Sequence, residues 1–314
     1  MIPLNRYGPG ILLRKLKRWF EPDLDPQRVV DVFDEFDRVR GFAAWQAHCR
    51  TQLKRALPGD TDQAPVVAQG YTTLPVMSAD AAAGLLRAVS QDQEIARLKR
   101  DSAKLEGYQL DNPELVARLL EASLSAAVDA QALSFFRSEY MVYWYTLSRT
   151  APSSEPASVS FRWHCDKGPQ AHLKLLVYLN DYTEHGGGTS YLDLAGSTAV
   201  SRTGYMFARG QRRTESLEEL AAMAGTPLQA YDHHPRAGDA VLFQPARVLH
   251  SGITPTRGPR YVLTLCLLPS PVPWRDALAL GMQIDLRTDP LWHDDARLLE
   301  RQFAGATGEP CRKP

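Results

Sequence analysis

From residue 140 onward, the sequence alternates between short segments rich in apolar, β-branched or aromatic residues and turns that contain glycine, proline or asparagine. These segments lie at 140–147, 161–165, 173–179, 189–194, 240–243 and 261–268. Many short strands joined by turns are typical of a sandwich or barrel, in which the strands share one apolar core. We therefore predict a fold that is mainly β with flanking helices (α+β), a jelly roll with helices packed outside it.

The chain before this region is predicted to be largely helical. Residues 10–20 form an amphipathic segment with four basic residues and a final Trp-Phe pair, and residues 26–57 form a longer helix that Gly41 interrupts. The clearest candidate for a linker is 58–62. The predicted division of the chain is a helical extension (1–60), a β domain (66–268) and a helical or irregular C-terminal tail packed on that domain (269–314).

Several elements of the β domain are predicted from local signals. A strand is expected at 66–74, and Ser78 is a suitable N-cap for the alanine-rich helix that follows. Asn112 precedes a proline at the first position of another helix. The long connection 197–237 is expected to contain one helix, at 215–224.

The composition limits the environment and the partners of the chain. With 44% hydrophobic residues its 314 residues can bury a large core, and a formal net charge of zero provides no field that attracts nucleic acid. The four cysteines lie far apart, as is typical of reduced thiols in a cytoplasmic protein. We expect a cytoplasmic protein without a nucleic-acid partner. Residues 10–20 either make a peripheral contact with the inner face of a membrane or pack on the domain. The sequence carries no signal for an oligomeric state.

A histidine and an aspartate one residue apart are the main functional signal. His164 and Asp166 point to the same side if the segment between them is extended, and His250 can approach them from a distant strand. Two imidazoles and one carboxylate on one face of a metal form the facial triad of non-haem iron(II) oxygenases. The opposite face of the metal stays open for a chelating cosubstrate and dioxygen.

The residues around this triad resemble a known family. The order is Trp163-His164-Cys165-Asp166, a strand ending in Asn180-Asp181, a glycine turn at 186–188, Gly238-Asp239 before a strand, and His250-Ser251-Gly252. This run resembles the iron(II)/2-oxoglutarate-dependent dioxygenases, most closely their phytanoyl-CoA-dioxygenase-like branch, and the resemblance covers roughly 66–268. It implies a double-stranded β-helix of the cupin-like type. It also implies that His164, Asp166 and His250 bind iron(II), and that 2-oxoglutarate and O2 are cosubstrates, with ascorbate as a reductant.

Arg260 is the candidate partner of the cosubstrate. By the resemblance it binds the distal carboxylate of 2-oxoglutarate, and because apolar residues flank it on the last core strand, its burial requires an anionic partner. Arg257 competes for this role, although its turn sequence favours exposure. Lys174 and Tyr143 are further candidates for cosubstrate contact. They share strand parity with His172 and Tyr145, respectively, and in each pair a solvated sheet face is an equal alternative.

Other polar residues are open to a structural interpretation. His233 and His234 are adjacent, so they face opposite ways on a strand and are better interpreted as loop residues than as joint ligands. Cys165 is expected to point away from the metal and to pack inertly. The cluster Arg209, Arg212 and Arg213 either binds a phosphate or carboxylate of the substrate or is simply solvated.

The predicted function is a hydroxylase that acts on an unactivated C–H bond of a small-molecule or lipid-linked saccharide substrate. A carboxylate at position 166 favours oxygen transfer over halogenation, because halogenating relatives replace it with a small residue. The alternatives are a cupin-like metal-dependent isomerase and a non-catalytic sugar-binding barrel. Neither of these needs the buried cation of Arg260, which therefore discriminates between the classes.

Overall fold

The computed structural model describes residues 42–91, 96–100, 105–110, 112–154, 159–166, 171–205 and 213–280. Within these ranges the helices are α1 (Phe42–Thr51), α2 (Pro65–Ala68), α3 (Ala79–Gln91), α4 (Pro113–Ser123), α5 (Ala126–Phe136), α6 (Tyr182–His185), α7 (Leu194–Ser201), α8 (Leu217–Ala224) and α9 (Trp274–Ala279), with a 3₁₀ turn at Val159–Phe161. The strands are β1 (Tyr71–Pro75), β2 (Ala96–Arg100), β3 (Leu105–Gln109), β4 (Glu139–Thr150), β5 (Leu173–Tyr178), β6 (Gly188–Tyr191), β7 (Tyr231–His233), β8 (Asp239–Phe243), β9 (His250–Ile253) and β10 (Arg260–Ser270).

The strands form two antiparallel sheets. The larger sheet has the order β1-β8-β5-β10-β4-β3-β2, and the smaller sheet has the order β7-β6-β9. A core of apolar and aromatic residues from both sheets lies between them. Its buried members are Tyr178, Tyr191, Val241, Phe243, Val248 and Val262. The architecture is the predicted double-stranded β-helix, with helices on its outside.

Helices cover the outer face of the larger sheet and the segment around Trp163. Side chains of α3, α4 and α5 pack on the outward-facing residues of β5, β8 and β10 in the largest hydrophobic cluster. A second cluster, which includes Leu220 of α8 and Val200 of α7, covers the segment around Trp163. The larger sheet therefore has one face against helices and the other against the smaller sheet, and inward-pointing side chains of both sheets share the space between them.

Local capping residues explain where two of the helices begin. The Ser78 hydroxyl accepts a hydrogen bond from the backbone N–H of Ala81 at 3.2 Å, and the Asn112 side chain accepts one from the N–H of Leu115 at 3.1 Å. Pro113 occupies the first turn of α4, where its missing N–H removes no helical bond. Both predicted helix starts are confirmed.

Other predicted elements differ from the structure. The first part of the predicted strand 66–74 is the short helix α2, because the backbone N–H and C=O of Val66 bond to the side chains of Gln131 and Gln244 instead of to a neighbouring strand. The predicted strand 161–165 is a 3₁₀ turn followed by a single bridge at His164. The connection 197–237 contains most of α7 and all of β7 besides the predicted helix α8.

Several predictions lie outside the described residues. The amphipathic segment 10–20, most of the predicted helix 26–57 and the tail beyond residue 280 belong to this group. In the part of the chain that the structure describes, none of the helices combines the length and the apolar character needed to span a bilayer.

Candidate metal centre

His164 and His250 face each other across two antiparallel backbone segments. The N–H of His164 donates to the carbonyl of His250 at 3.0 Å, and the N–H of His250 donates to the carbonyl of His164 at 2.9 Å. Their imidazole centroids lie 4.3 Å apart. Directly opposed residues of an antiparallel pair have side chains on the same face, so this bridge brings two histidines from distant parts of the sequence to one point.

Asp166 completes the cluster. Its backbone N–H donates to the carbonyl of Pro245 at 2.8 Å, which fixes the segment after His164. Its Oδ1 lies 3.8 Å from His164 Nε2 and its Oδ2 lies 3.6 Å from His250 Nε2. One ligand atom from each residue lies within 4.8 Å of the other two. Donor atoms bound to one divalent ion at about 2.0–2.2 Å lie roughly 3 Å apart, so small side-chain movements close the cluster on a metal.

Backbone carbonyls orient both imidazoles. His164 Nδ1 lies 2.7 Å from the carbonyl oxygen of Arg162, and His250 Nδ1 lies 3.0 Å from that of Val248. A carbonyl can only accept, so Nδ1 carries the hydrogen in each ring and Nε2 presents its lone pair to the cluster. This is the arrangement of a metal-binding histidine, whose outer nitrogen is held by an acceptor.

Burial keeps the site in the protonation state that a metal requires. Burial, together with the neighbouring His164, lowers the pKa of His250 to about 3, and burial also lowers the pKa of His164. Burial alone would raise the pKa of Asp166, but the Lys174 ammonium and the two histidines outweigh it and hold that pKa below its usual value. The cluster therefore offers neutral imidazoles and a charged carboxylate near neutral pH.

Arg260 lies buried between the sheets, where β10 begins. One terminal nitrogen donates to the backbone carbonyls of Gly188 and Ile253, the latter at 3.1 Å, and the other lies 3.5 Å from the Thr150 hydroxyl. Its Nε is buried without a hydrogen-bond partner. No carboxylate in the described ranges lies within ion-pair distance of this guanidinium. A buried cation balanced only by neutral groups leaves room for an anionic ligand.

Hydroxyl groups line the space between His250 and Arg260. The Tyr191 ring stacks near the His250 imidazole, with centroids 6.5 Å apart, and its hydroxyl is buried. The Tyr178 and Thr189 hydroxyls lie 3.2 Å apart. Burial lowers the pKa of Arg260, and the nearby hydroxyls of Tyr178 and Tyr191 oppose that effect. The sequence interpretation missed both tyrosines, although Tyr178 shares strand parity with Lys174.

Lys174 and Tyr143 have different surroundings. Lys174 Nζ donates to Asp166 Oδ2 at 2.6 Å and lies 5.3 Å from the ring centroid of Trp144. Tyr143 is buried in an apolar cluster with Met141 and Leu268. The structure thus brings Lys174 to the metal cluster and places Tyr143 in the packing between β4 and β10. Of two other candidates, His172 is buried, and Tyr145 packs against the hydrophobic cluster between the larger sheet and the helices.

The two adjacent histidines have separate environments. His233 belongs to β7 rather than to a loop, and its ring packs edge-on against Tyr178 with centroids 5.3 Å apart. His234 is exposed and lies against Tyr182, with centroids 4.2 Å apart. Among the described residues neither is part of a group that could hold a metal ion.

The remaining candidates have different surroundings. Cys165 is buried in the cluster around Trp163. Arg257 is exposed and donates to the carbonyl of Tyr182 at 2.9 Å. Arg213 is half-buried, and burial lowers its pKa while Asp166 opposes the shift, whereas Arg209 and Arg212 lie outside the described residues.

No protein-family profile matches the chain, and no curated protein sequence is significantly similar to it. Solved structures with a similar fold include the non-haem alpha-ketoglutarate-dependent epimerase SnoN from nogalamycin biosynthesis (16% identity over 72% of this chain and 83% of that chain, TM-score 0.45). They also include EctD from S. alaskensis with 2-oxoglutarate and 5-hydroxyectoine (17%, 68% and 77%, TM-score 0.46). A third is HygX from Streptomyces hygroscopicus with nickel, 2-oxoglutarate and hygromycin B (14%, 68% and 88%, TM-score 0.43). Similarities this distant do not assign a reaction to this chain.

Proposed function

We propose that the protein is an iron(II)- and 2-oxoglutarate-dependent oxygenase that hydroxylates an unactivated C–H bond. The observation that carries the proposal is the buried Arg260 guanidinium, which shares the space between the sheets with the His164–Asp166–His250 cluster and has no ion-pair partner in the described ranges. A keto acid that chelates a metal through its 1-carboxylate and ketone still has a free distal carboxylate, and this group fits a buried guanidinium.

The donor set fits iron(II). Two neutral imidazoles and one carboxylate suit this ion, and they would hold it from one side, leaving the other side open to further ligands. A single protein carboxylate also limits the negative charge that a dianionic cosubstrate meets. The Nε2 lone pairs of His164 and His250 are already directed into the cluster by the carbonyls of Arg162 and Val248.

Each residue has a defined task in the proposed reaction. When iron(II) is bound, it supplies the dioxygen chemistry that converts 2-oxoglutarate, O2 and a substrate C–H group to succinate, CO2 and a C–OH group. The imidazoles and the carboxylate hold the ion. Arg260 binds the distal carboxylate, and the buried hydroxyls of Tyr178 and Tyr191, which lie near the guanidinium, are positioned beside the same ligand. Tyr191 and Phe243, whose ring centroids lie 5.1 Å apart, exclude water beside His250.

The proposed outcome is hydroxylation rather than halogenation, because Asp166 occupies the position that a halide would need. For the substrate we propose a small molecule or a lipid-linked saccharide. The lipid-linked choice depends on residues 10–20, which lie outside the described residues. Deleting these residues tests this choice. If they are a peripheral anchor, the shortened protein is expected to move from the membrane fraction to the soluble fraction. An unchanged distribution of the protein between the two fractions would remove the reason for proposing a lipid-linked substrate.

Succinate release tests the proposed chemistry. The purified protein is incubated in air with iron(II), 2-oxoglutarate and ascorbate, and we expect succinate that depends on both iron and oxygen. Asp166→Ala and His250→Ala are expected to abolish it, while His234→Ala, an exposed histidine outside the cluster, leaves it unchanged. A wild-type protein that binds metal but leaves 2-oxoglutarate intact would instead fit the isomerase or the sugar-binding barrel.

A further inference from the structure

Lys174 makes a short hydrogen bond to one residue of the candidate metal centre. Its Nζ lies 2.6 Å from Asp166 Oδ2, and both side chains are about one-fifth exposed. Lys174 projects from β5 between Cys266 of β10 and Phe243 of β8, its register neighbours in the larger sheet. Trp144 packs beside the ammonium, with its ring centroid 5.3 Å from Nζ. The lysine is therefore fixed by strand register and by an aromatic face.

This contact makes the two oxygens of Asp166 unequal. Oδ2 lies 3.6 Å from His250 Nε2 and accepts the charge-assisted bond from Lys174, whereas Oδ1 lies 3.8 Å from His164 Nε2 and the Lys174 ammonium donates to Oδ2 rather than to it. A carboxylate without such a neighbour can bind a metal through one oxygen or through both. With Oδ2 engaged by an ammonium, binding through Oδ1 alone is favoured.

We propose that Lys174 is a positioning residue that holds Oδ2 of Asp166 and so restricts this aspartate to a single bond with the metal. The inference rests on the proposed function, since it concerns the same metal. An octahedral ion bound by two histidines and one carboxylate oxygen keeps a face of open positions, enough for a two-point keto-acid chelate and for dioxygen. A second bond from Asp166 would occupy the position that dioxygen needs.

The charge of Lys174 has a second consequence. An ammonium next to the ligand carboxylate opposes the approach of a divalent cation, so a lysine that served only to balance charge would weaken metal binding and do nothing else. The positioning role predicts a different pattern. Removal of Lys174 leaves metal binding unchanged or strengthens it, but weakens the binding of dioxygen or its surrogate to the metal. The two roles are separated by measuring metal binding and diatomic-gas binding independently.

The test compares wild type, Lys174→Met, Lys174→Arg and the exposed control Lys54→Met. Crystals of the nickel(II)-loaded proteins report whether one or both Asp166 oxygens bind the metal. In solution, nitric oxide serves as a dioxygen surrogate, and electron paramagnetic resonance of the iron(II)–2-oxoglutarate protein reports its affinity. We expect one bonded oxygen in wild type and two in Lys174→Met. We also expect about tenfold weaker nitric oxide binding in Lys174→Met, rescue by Lys174→Arg, and no change in Lys54→Met.

Each failure has its own signature. One bonded oxygen in Lys174→Met, with unchanged nitric oxide affinity, would overturn the positioning role and leave the proposed function standing. Separation of Lys174 from Asp166 in the nickel-loaded wild type would do the same. A wild-type protein that takes up no metal at His164 and His250 would overturn the proposed function and this inference together. Circular dichroism of each metal-free variant confirms that the fold is retained.

Discussion

Replacing Arg260 with methionine separates the stability of this protein from its capacity to bind a dicarboxylate. Arg260 is 7% exposed, and its guanidinium makes hydrogen bonds to two backbone carbonyls, with a longer contact to the Thr150 hydroxyl. Each bond from a charged donor contributes about 1.5–3 kcal/mol. Removing a buried cation recovers a desolvation penalty of several kcal/mol. Because these effects oppose each other, we expect the ligand-free protein to change by less than about 2 kcal/mol.

The ligand-dependent part of the stability is expected to change much more. A ligand present at a hundred times its Kd stabilises a folded protein by about 2.7 kcal/mol. For a domain of this size that corresponds to a rise in Tm of roughly 5–10 °C. In wild type loaded with nickel(II), 2-oxoglutarate is expected to produce this rise. In Arg260→Met the rise is lost, because the distal carboxylate no longer has a cationic partner.

The assay is thermal unfolding of the nickel(II)-loaded protein with and without 2-oxoglutarate. Arg257→Met is the matched control, because Arg257 is a nearby exposed arginine that donates to the carbonyl of Tyr182. It is expected to keep the full rise in Tm. An equal rise in Arg260→Met and wild type would refute the assignment of Arg260, and a loss confined to Arg257→Met would transfer the role to that residue.

Three further predictions concern stability and local geometry. Burial lowers the pKa of His233 to about 4, so the unfolded chain binds a proton at higher pH than the folded protein does. The contribution of this neutral histidine to the free energy of unfolding is therefore lost as the pH falls from about 6.5 towards 4, by up to about 1.4 kcal/mol per pH unit. His233→Asn is expected to flatten the pH dependence of the urea midpoint over this range. Gly188→Ala places a Cβ 2.3 Å from the His233 carbonyl oxygen and is expected to cost about 1–3 kcal/mol in urea unfolding, whereas Gly59→Ala, with no atom within 4 Å, costs little; equal effects would contradict the β6–β7 packing. Tyr205→Phe removes the hydroxyl that donates to the Trp163 carbonyl at 3.0 Å, next to His164, and is expected to weaken metal binding measured by calorimetry. A metal affinity equal to that of wild type would show that this bond does not help to position His164.

Strand periodicity predicted most of the larger sheet. The predicted strands 173–179, 240–243 and 261–268 correspond to β5, β8 and β10, because buried strands are continuous apolar runs that local sequence reveals. The hairpin of β2 and β3 was missed because its residues are largely charged or polar, and its pairing with β4 depends on the edge of an existing sheet. The segment before β1 folds as a helix because distant glutamine side chains bond to the Val66 backbone.

The residues of the candidate metal centre could be predicted from the sequence, but their supporting contacts could not. His164 and Asp166 form a local spacing pattern, and His250 follows a recognisable glycine-aspartate turn and strand. The hydrogen bond between Lys174 and Asp166 depends on how β5 faces the bridge at His164, which no local pattern encodes. The role of Tyr191 depends on its register opposite His250 in the smaller sheet, and that register follows only from the complete fold.

Anomalous diffraction from crystals grown anaerobically with iron(II) and 2-oxoglutarate is the most direct test of the central claim. The account predicts one iron peak bonded to Nε2 of His164, Nε2 of His250 and a carboxylate oxygen of Asp166, with a chelated keto acid whose distal carboxylate contacts Arg260. An iron peak elsewhere, or a keto acid bound away from Arg260, would contradict it.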